Sequence, residues 1–443
     1  MDCKKVSNTL PFKGFNLYNA TAYVQDHTLI NRGIVTLGGS TIPQCIMSNN
    51  KYEAQERAIM GGVYLVASYL TPLMLLPVYN KHFLKNKGIT KSLEGLGKKI
   101  IEVPKKYLKP DANLKQGLDE TAKMLDKNGS FEHKKAFDEI YERYNNPEKL
   151  KKDLLSVHEK VLKTDFITTA AMWSAIPWIA TESTEKRTNR KDFSAGFNMK
   201  ESSKNEKSHK GLKLALNALC CIVPALVFSK TVTKGLSKNF AKAEKSDSLL
   251  GKAQDKILKK ISDNPDRFDY TSGTNMSKTI YASIWALSSF PAKIISSRDS
   301  NERKDRAFRD AGLFAMFFGG DFLINNLLGR ASDKFLGTKI MEDKGENLNF
   351  AQKFKLGIKN FRTLDREKGI SKECLKKTKT VGAGLYWTSI LVNTALIGFA
   401  LPKALNKFLK HNIDKETTEN HSILNRNEAL AYGETLYKNS LKK

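Results

Sequence analysis

The chain has 443 residues, 74 Lys and Arg against 46 Asp and Glu, and a formal charge of +28. Its length allows two or three domains. Its five cysteines are odd in number, with Cys220 and Cys221 adjacent and no CxxC pair, a pattern of neither a disulfide framework nor a zinc site. No HExxH pair, phosphate loop, GxSxG elbow or kinase set occurs, and the seven histidines are scattered, so no enzyme, cofactor or metal is implied.

Residues 1–57 look mixed. GFNLYNATAYVQ and RGIVTLGGSTIP read as short β-like or irregular stretches punctuated by Gly and Asn. The N-terminus shows neither a secretory h-region nor an Arg-rich transit character, so membrane insertion would use internal segments. A short apolar piece, Gly39–Met47, contains Pro43 and leads through Glu56-Arg57 into a first long apolar helix within 58–84, uncharged from Gly61 to Tyr79.

Residues 85–163 read as a soluble amphipathic insert of three helices. Leu114, Leu118 and Leu125 line one side of the first. Ser130 would cap the second, with Phe131, Phe137, Ile140 and Tyr144 at near-helical spacing. Pro147 would open the third.

A second hairpin unit spans 164–240. Its short segment, Phe166–Thr181, contains Pro177; a turn with Lys186, Arg187 and Arg190 follows, then the longer Gly211–Phe228. A basic linker (241–278) separates it from a third unit at 279–337. There Thr279–Ala292 contains Pro291, the turn carries Glu302, Arg303 and Arg306, and Gly312–Gly329 holds one acid, Asp321. A second basic linker (338–380) precedes a last apolar helix at 381–410, uncharged from Gly382 to Pro402; the tail, 411–443, is polar.

These units read as one pattern written more than once. Arg187, Arg190, Ala195 and Gly196 match Arg303, Arg306, Ala311 and Gly312 at a single offset. Phe83-Leu84, Phe335-Leu336 and Phe408-Leu409 each follow a helix breaker, Pro77, Gly329 or Pro402, at one spacing. Such self-similarity points to duplication of a helical hairpin, with the breaker turning the chain into an in-plane basic tail. The pairing of hydrophobic segments is superficially similar to that of mitochondrial carriers. The acid and base that follow the proline in that family are missing, however: Gln44-Cys45, Trp178-Ile179 and Ala292-Lys293 stand there instead.

The expected fold is mostly α, with repeated hydrophobic hairpins, multi-pass or re-entrant, and basic amphipathic connectors. An acid at membrane depth is costly and marks a candidate site. That singles out Asp321, with Asn325 and Asn326 one turn on and Asn393 and Thr394 at the equivalent place in the last helix. Arg57, Arg187, Arg190, Arg303 and Arg306 are the candidate headgroup contacts, Arg303 or Arg306 also a partner for Asp321. Function reads as a non-enzymatic membrane protein, its basic linkers facing the cytoplasm, that organises membrane, binds anionic lipid or scaffolds a protein partner. Two alternatives are a transporter-like bundle using Asp321 and a soluble basic helical protein binding nucleic acid. The last is disfavoured because the lysines are dispersed among acids with no aromatic interleaving.

Overall fold

The computed structural model describes residues 17–26, 28–48, 51–78, 102–126, 131–188, 209–240, 248–271, 275–316, 321–341 and 371–408. Ser130, Arg190, the KHFLK segment, the centre of the second basic linker and the polar tail lie outside the described residues.

The described chain is mostly helical. In order it forms α1 (Leu17–Asp26), α2 (Thr28–Gly33), a π-helical stretch (Ile34–Thr41) and α3 (Ile42–Ile46), then α4 (Lys51–Val78). A 3₁₀ turn (Lys105–Leu108) precedes α5 (Leu114–Leu125), α6 (Glu132–Tyr144), α7 (Pro147–Thr188), α8 (Lys210–Ser237) and α9 (Leu249–Asp263). A second 3₁₀ turn (Pro265–Phe268) leads to a two-residue antiparallel pairing, Tyr270 opposite Met276 and Thr271 opposite Asn275. Then come α10 (Lys278–Ile284), a π turn (Trp285–Ser289), α11 (Phe290–Ile295), α12 (Ser300–Phe314), α13 (Asp321–Leu336), α14 (Lys372–Asn393) and a last π turn (Thr394–Ala400).

Among the described residues, three prolines explain the π segments at Ile34–Thr41, Trp285–Ser289 and Thr394–Ala400. Proline has no N–H, and its ring collides with the carbonyl four residues back. The helix widens just ahead of it: the residue preceding Pro43, Pro291 or Pro402 donates to the carbonyl five back, Ile42 to Leu37, Phe290 to Trp285 and Leu401 to Leu396. The breakers therefore do not all break. The last helix runs through Pro402 to Phe408, and α13 runs through Gly329 to Leu336, because a widened turn, or a glycine, keeps the backbone paired where a turn was expected. The β-like reading of residues 17–46 also fails. Local Gly and Asn content there is overridden by packing of this segment on α14.

The chain forms two compact units, Met1–Met47 with Gly312–Ala404 and Ser48–Ala311 with Leu405–Lys443. In the first, the two π stretches lie against each other. A Cβ on Gly398 would sit 2.5 Å from Pro43 Cβ and 3.3 Å from the Gly39 carbonyl, so only hydrogen fits there. Trp387 Nε1 donates to Thr21 Oγ1 at 2.9 Å and Tyr386 OH to Asn31 Oδ1 at 2.8 Å, which fixes α14 to α1 and α2.

In the second unit α7 is the central rod. The apolar segment Phe166–Thr181, expected as a separate short piece, is the second half of this 42-residue helix, which carries Pro177 internally. Its first half packs on α5 and α6 through Leu114, Leu118, Phe137, Ile140, Leu150 and Leu154, all buried. Phe131 is exposed at 71% instead of joining them, because it precedes α6 as its cap residue. The second half packs on α4 and α8. Trp173 is surrounded by Tyr64, Tyr281 and Trp285 at ring separations of 5.6, 6.0 and 6.2 Å.

Gly398→Val is expected to lower stability by about 1–3 kcal/mol through overpacking against Pro43. Gly384→Ala, where a Cβ meets nothing within 4 Å, is expected to be neutral or stabilising by up to about 1 kcal/mol. Unfolding of the purified chain in detergent measures both, and equal effects would remove the close approach as the explanation.

Candidate functional site

The polar turns that the sequence sets apart come together in space. The start of α4 brings Glu53, Glu56 and Arg57, each at most 5% exposed; the end of α7 brings Thr181, Thr184 and Arg187; and the α11–α12 corner brings Lys293 to Asp310.

Glu302 is the centre. Its carboxylate takes two bonds from Arg298 (Nη2 at 3.0 Å, Nε at 3.1 Å) and one from Arg306 Nη2 at 2.7 Å. It also accepts the Arg298 backbone N–H at 2.5 Å. Asp299 Oδ1 in turn accepts the Glu302 N–H at 2.9 Å, capping α12.

From this centre the arginines reach the other two turns. Arg298 meets Glu56 of α4 at 3.3 Å. Arg306 donates to Thr181 of α7 at 3.1 Å, to Ser296 Oγ at 2.6 Å and to the Lys293 carbonyl at 3.0 Å. Arg57 lies 3.9 Å from Asp305, which is held bidentately by Arg309. Arg187 donates to Gln55 of α4 and to Thr184. Lys293 pairs with Asp310 at 2.8 Å.

Charges buried this deeply need full pairing. Burial alone would push the Glu302 carboxyl up, but Arg306 and Arg298 outweigh it and hold it at about 2. Burial would likewise push the Arg298 guanidinium down, and Glu302 and Glu56 reverse that. For Arg57 burial wins, with Arg309 adding to it, and its pKa falls below the usual arginine value.

A second buried polar group ties the insert to the segment after α9. Lys105, 1% exposed, donates to the Phe268 carbonyl at 2.5 Å and lies 3.4 Å from Asp269. Burial pushes its ammonium down and the Asp269 carboxyl up. His158 of α7 is 3% exposed and neither ring nitrogen has a hydrogen-bond partner. Burial, then the nearby Lys105 charge, hold it well below 6.5.

The anticipated residues divide. Arg57 and Arg306 lie inside the network. Arg187 and Arg303 are exposed, and Arg190 is outside the described residues. Asp321 is the first residue of α13; its side chain and that of Asn325 are outside the described residues. Asn326 is buried and accepts from Arg330 Nε at 2.8 Å. Asn393 donates to Ser389 Oγ at 3.5 Å, and Thr394 opens the π turn with its hydroxyl on the Ile390 carbonyl. The carboxylates that organise the site, Glu302 and Asp305, were not singled out from sequence. The available signal was their spacing of four residues from Arg306 and Arg309, respectively. Among the described residues no group of three or more His, Cys, Asp or Glu is placed to hold a metal ion.

Two acid limbs are expected in the stability of the folded chain. The His158 pKa is depressed on folding, so its contribution is complete above about pH 6.5 and declines as pH falls below it. Glu302, depressed from 4.5 to about 2, contributes about 3 kcal/mol above pH 4.5 that is lost between 4.5 and 2. His158→Leu should flatten the first limb only. Glu302→Gln should flatten the second and cost about 3–5 kcal/mol at neutral pH by stranding two arginines. Denaturant unfolding across pH measures this; unchanged limbs would refute the assignment. No protein-family model matches this chain, and neither the curated proteins nor the solved structures contain one similar to it.

Proposed function

We propose that this chain is a non-enzymatic integral membrane protein, built from repeated helical hairpins, whose basic connectors face anionic lipid on the cytoplasmic side and which organises membrane, binds lipid or scaffolds a partner. The observation that carries this reading is the face distribution of α8. From Asn217 to Ser229 its inward face is small and polar, with Asn217, Cys221, Ala225 and Ser229 buried, before Val232, Gly235 and Leu236 close the last turns. With its amide correctly oriented, Asn217 donates to the Ala292 carbonyl at 2.8 Å and accepts from Trp178 Nε1 at 2.6 Å. The outward face carries Leu212, Leu214, Leu219, Ile222, Val223 and Val227, each 42–64% exposed.

That is the reverse of a water-soluble helix. Leaving six such side chains half in water forfeits on the order of 5–10 kcal/mol, as much as the whole stability of an ordinary domain. In hydrocarbon the cost vanishes, and small residues facing the neighbouring helix allow close packing. The 28 residues of α8 span about 42 Å, enough for a core of about 30 Å. The helix from Lys372 to Phe408 also has the length and composition to cross, with Gly382, Ala383 and Ser389 inward and Leu391 outward. Convergence of three polar turns on Glu302 supports the duplicated hairpin, because each turn would occupy the same end of its own unit.

The test is extraction of isolated membranes with alkaline carbonate and then high salt. The chain is expected to remain until detergent is added. Val223→Arg, which costs about 2.5–3.5 kcal/mol of insertion free energy at the centre of a span, is expected to reduce the carbonate-resistant fraction. Release of the unaltered chain by carbonate would make the apolar helices a soluble core and return the lysines to a surface role.

A further inference from the structure

Helix α9 has a rotation fixed on one side and an unmatched surface on the other. Leu258, Ile261 and Ser262 are buried against the end of α8. The approach is close: a Cβ on Gly235 would lie 2.9 Å from Ile261 Cβ and 3.0 Å from the Leu258 carbonyl. Lys238 of α8 pairs with Asp255 at 2.6 Å, and Lys109 of the insert donates to the Ser262 carbonyl at 2.9 Å. The helix starts at a proper cap, with Ser248 Oγ accepting the Gly251 N–H at 3.0 Å.

What faces outward is therefore determined. Leu249 and Leu250 are 88% and 85% exposed, and Ile257 is 56% exposed. Lys252, Lys256, Lys259 and Lys260 are all exposed beside them. At about 100° per residue Leu249, Ile257 and Leu250 fill one arc of about 100°, Lys252, Lys256 and Lys259 fill the adjoining arc, and Lys260 falls just inside the apolar arc next to Leu249. Leu249 adjoins the lysines, and Leu250 with Ile257 forms the far side of the apolar arc. An in-plane helix at a charged membrane surface requires that arrangement, with the apolar arc among the acyl chains and the lysines at the phosphates.

The depth also fits. Twenty residues centred between Leu219 and Ile222 end near Lys230, so Gly235, where α9 docks, lies about 7 Å further along, at headgroup level. We propose that α9 lies in the membrane interface and binds anionic phospholipid, Leu249, Leu250 and Ile257 inserting and Lys252, Lys256, Lys259 and Lys260 meeting the phosphates. The proposal rests on the membrane reading of α8 and adds to it the element and the lipid class.

The experiment uses the full chain reconstituted into vesicles of phosphatidylcholine, alone or mixed with phosphatidylglycerol, with bromine on the acyl chains. The quantity is the extra tryptophan quenching that Leu250→Trp shows over the unaltered chain. A several-fold larger increment in anionic vesicles is expected, reduced by high salt and lost when Lys252, Lys256, Lys259 and Lys260 are changed together to Gln. The salt series needs no lysine variant, so it stands even where that variant folds poorly. No increment in either vesicle, with the chain still resistant to carbonate, overturns the proposal and leaves the membrane reading intact; this is the result if a partner protein covers α9. Equal increments in both vesicles, insensitive to salt, overturn the anionic assignment. Release of the chain by carbonate overturns both readings together.

Discussion

The second unit depends on one carboxylate. Glu302 sits almost without solvent between two guanidiniums, and those guanidiniums reach α4 through Glu56 and α7 through Thr181. Removing water from so many charges is costly, and the cost is recovered only when every partner is in place. The network therefore works less as a source of stability than as a condition on geometry. Three chain segments far apart in sequence must arrive together for Arg298 to meet Glu56, Arg57 to approach Asp305 and Arg306 to meet Thr181. That condition fixes the relative heights of α4, α7 and α12, and with them the height of α8, whose Lys213 reaches the Ser297 carbonyl beside the network at 2.7 Å.

Between Asn217 and Ser229, α8 turns small and polar side chains inward and large apolar ones outward. Ser174 meets Cys221 at 3.5 Å, and Asn217 joins Trp178 to the Ala292 carbonyl. The lower half of α7, in the insert, shows the opposite pattern, with leucines and phenylalanines inward. On the membrane reading proposed above, the α8 pattern suits a surrounding that does not compete for hydrogen bonds, as the pattern of the insert suits water. Lys105 and His158 are both buried at this end of α7.

Much of the helical content was readable because its signals are local. Pro147 opens α7, Leu114 and Leu118 define a buried stripe, and the prolines mark three perturbed turns. What was missed is tertiary. Residues 17–46 carry the glycines and asparagines of a loop, yet fold as helix because Thr21 and Asn31 find donors on α14, more than three hundred residues away. Local propensity is a weak prior against such contacts. For the site, Arg57 and Arg306 stood out as basic residues of the polar turns between apolar segments, but the carboxylates beside them looked like ordinary members of a solvated charge run. In a sequence, a buried ion pair and a surface one are the same letters at the same spacing. Only the convergence of three turns distinguishes them.

The charge balance extends this argument outward. The buried network sets Arg57, Lys293, Arg298, Arg306 and Arg309 against Glu53, Glu56, Asp299, Glu302, Asp305 and Asp310. It is close to neutral, as burial demands, and so takes up none of the +28 the chain carries. The excess must be borne by surfaces. On a freely soluble protein, self-repulsion of that size opposes the compact state. Beside an anionic leaflet the same charge is attractive, and α9 sets four of these lysines next to exposed leucines at the end of an outward-facing apolar helix. The inside of the protein is neutral because its polar turns had to pair, and the basic excess is left to the outside.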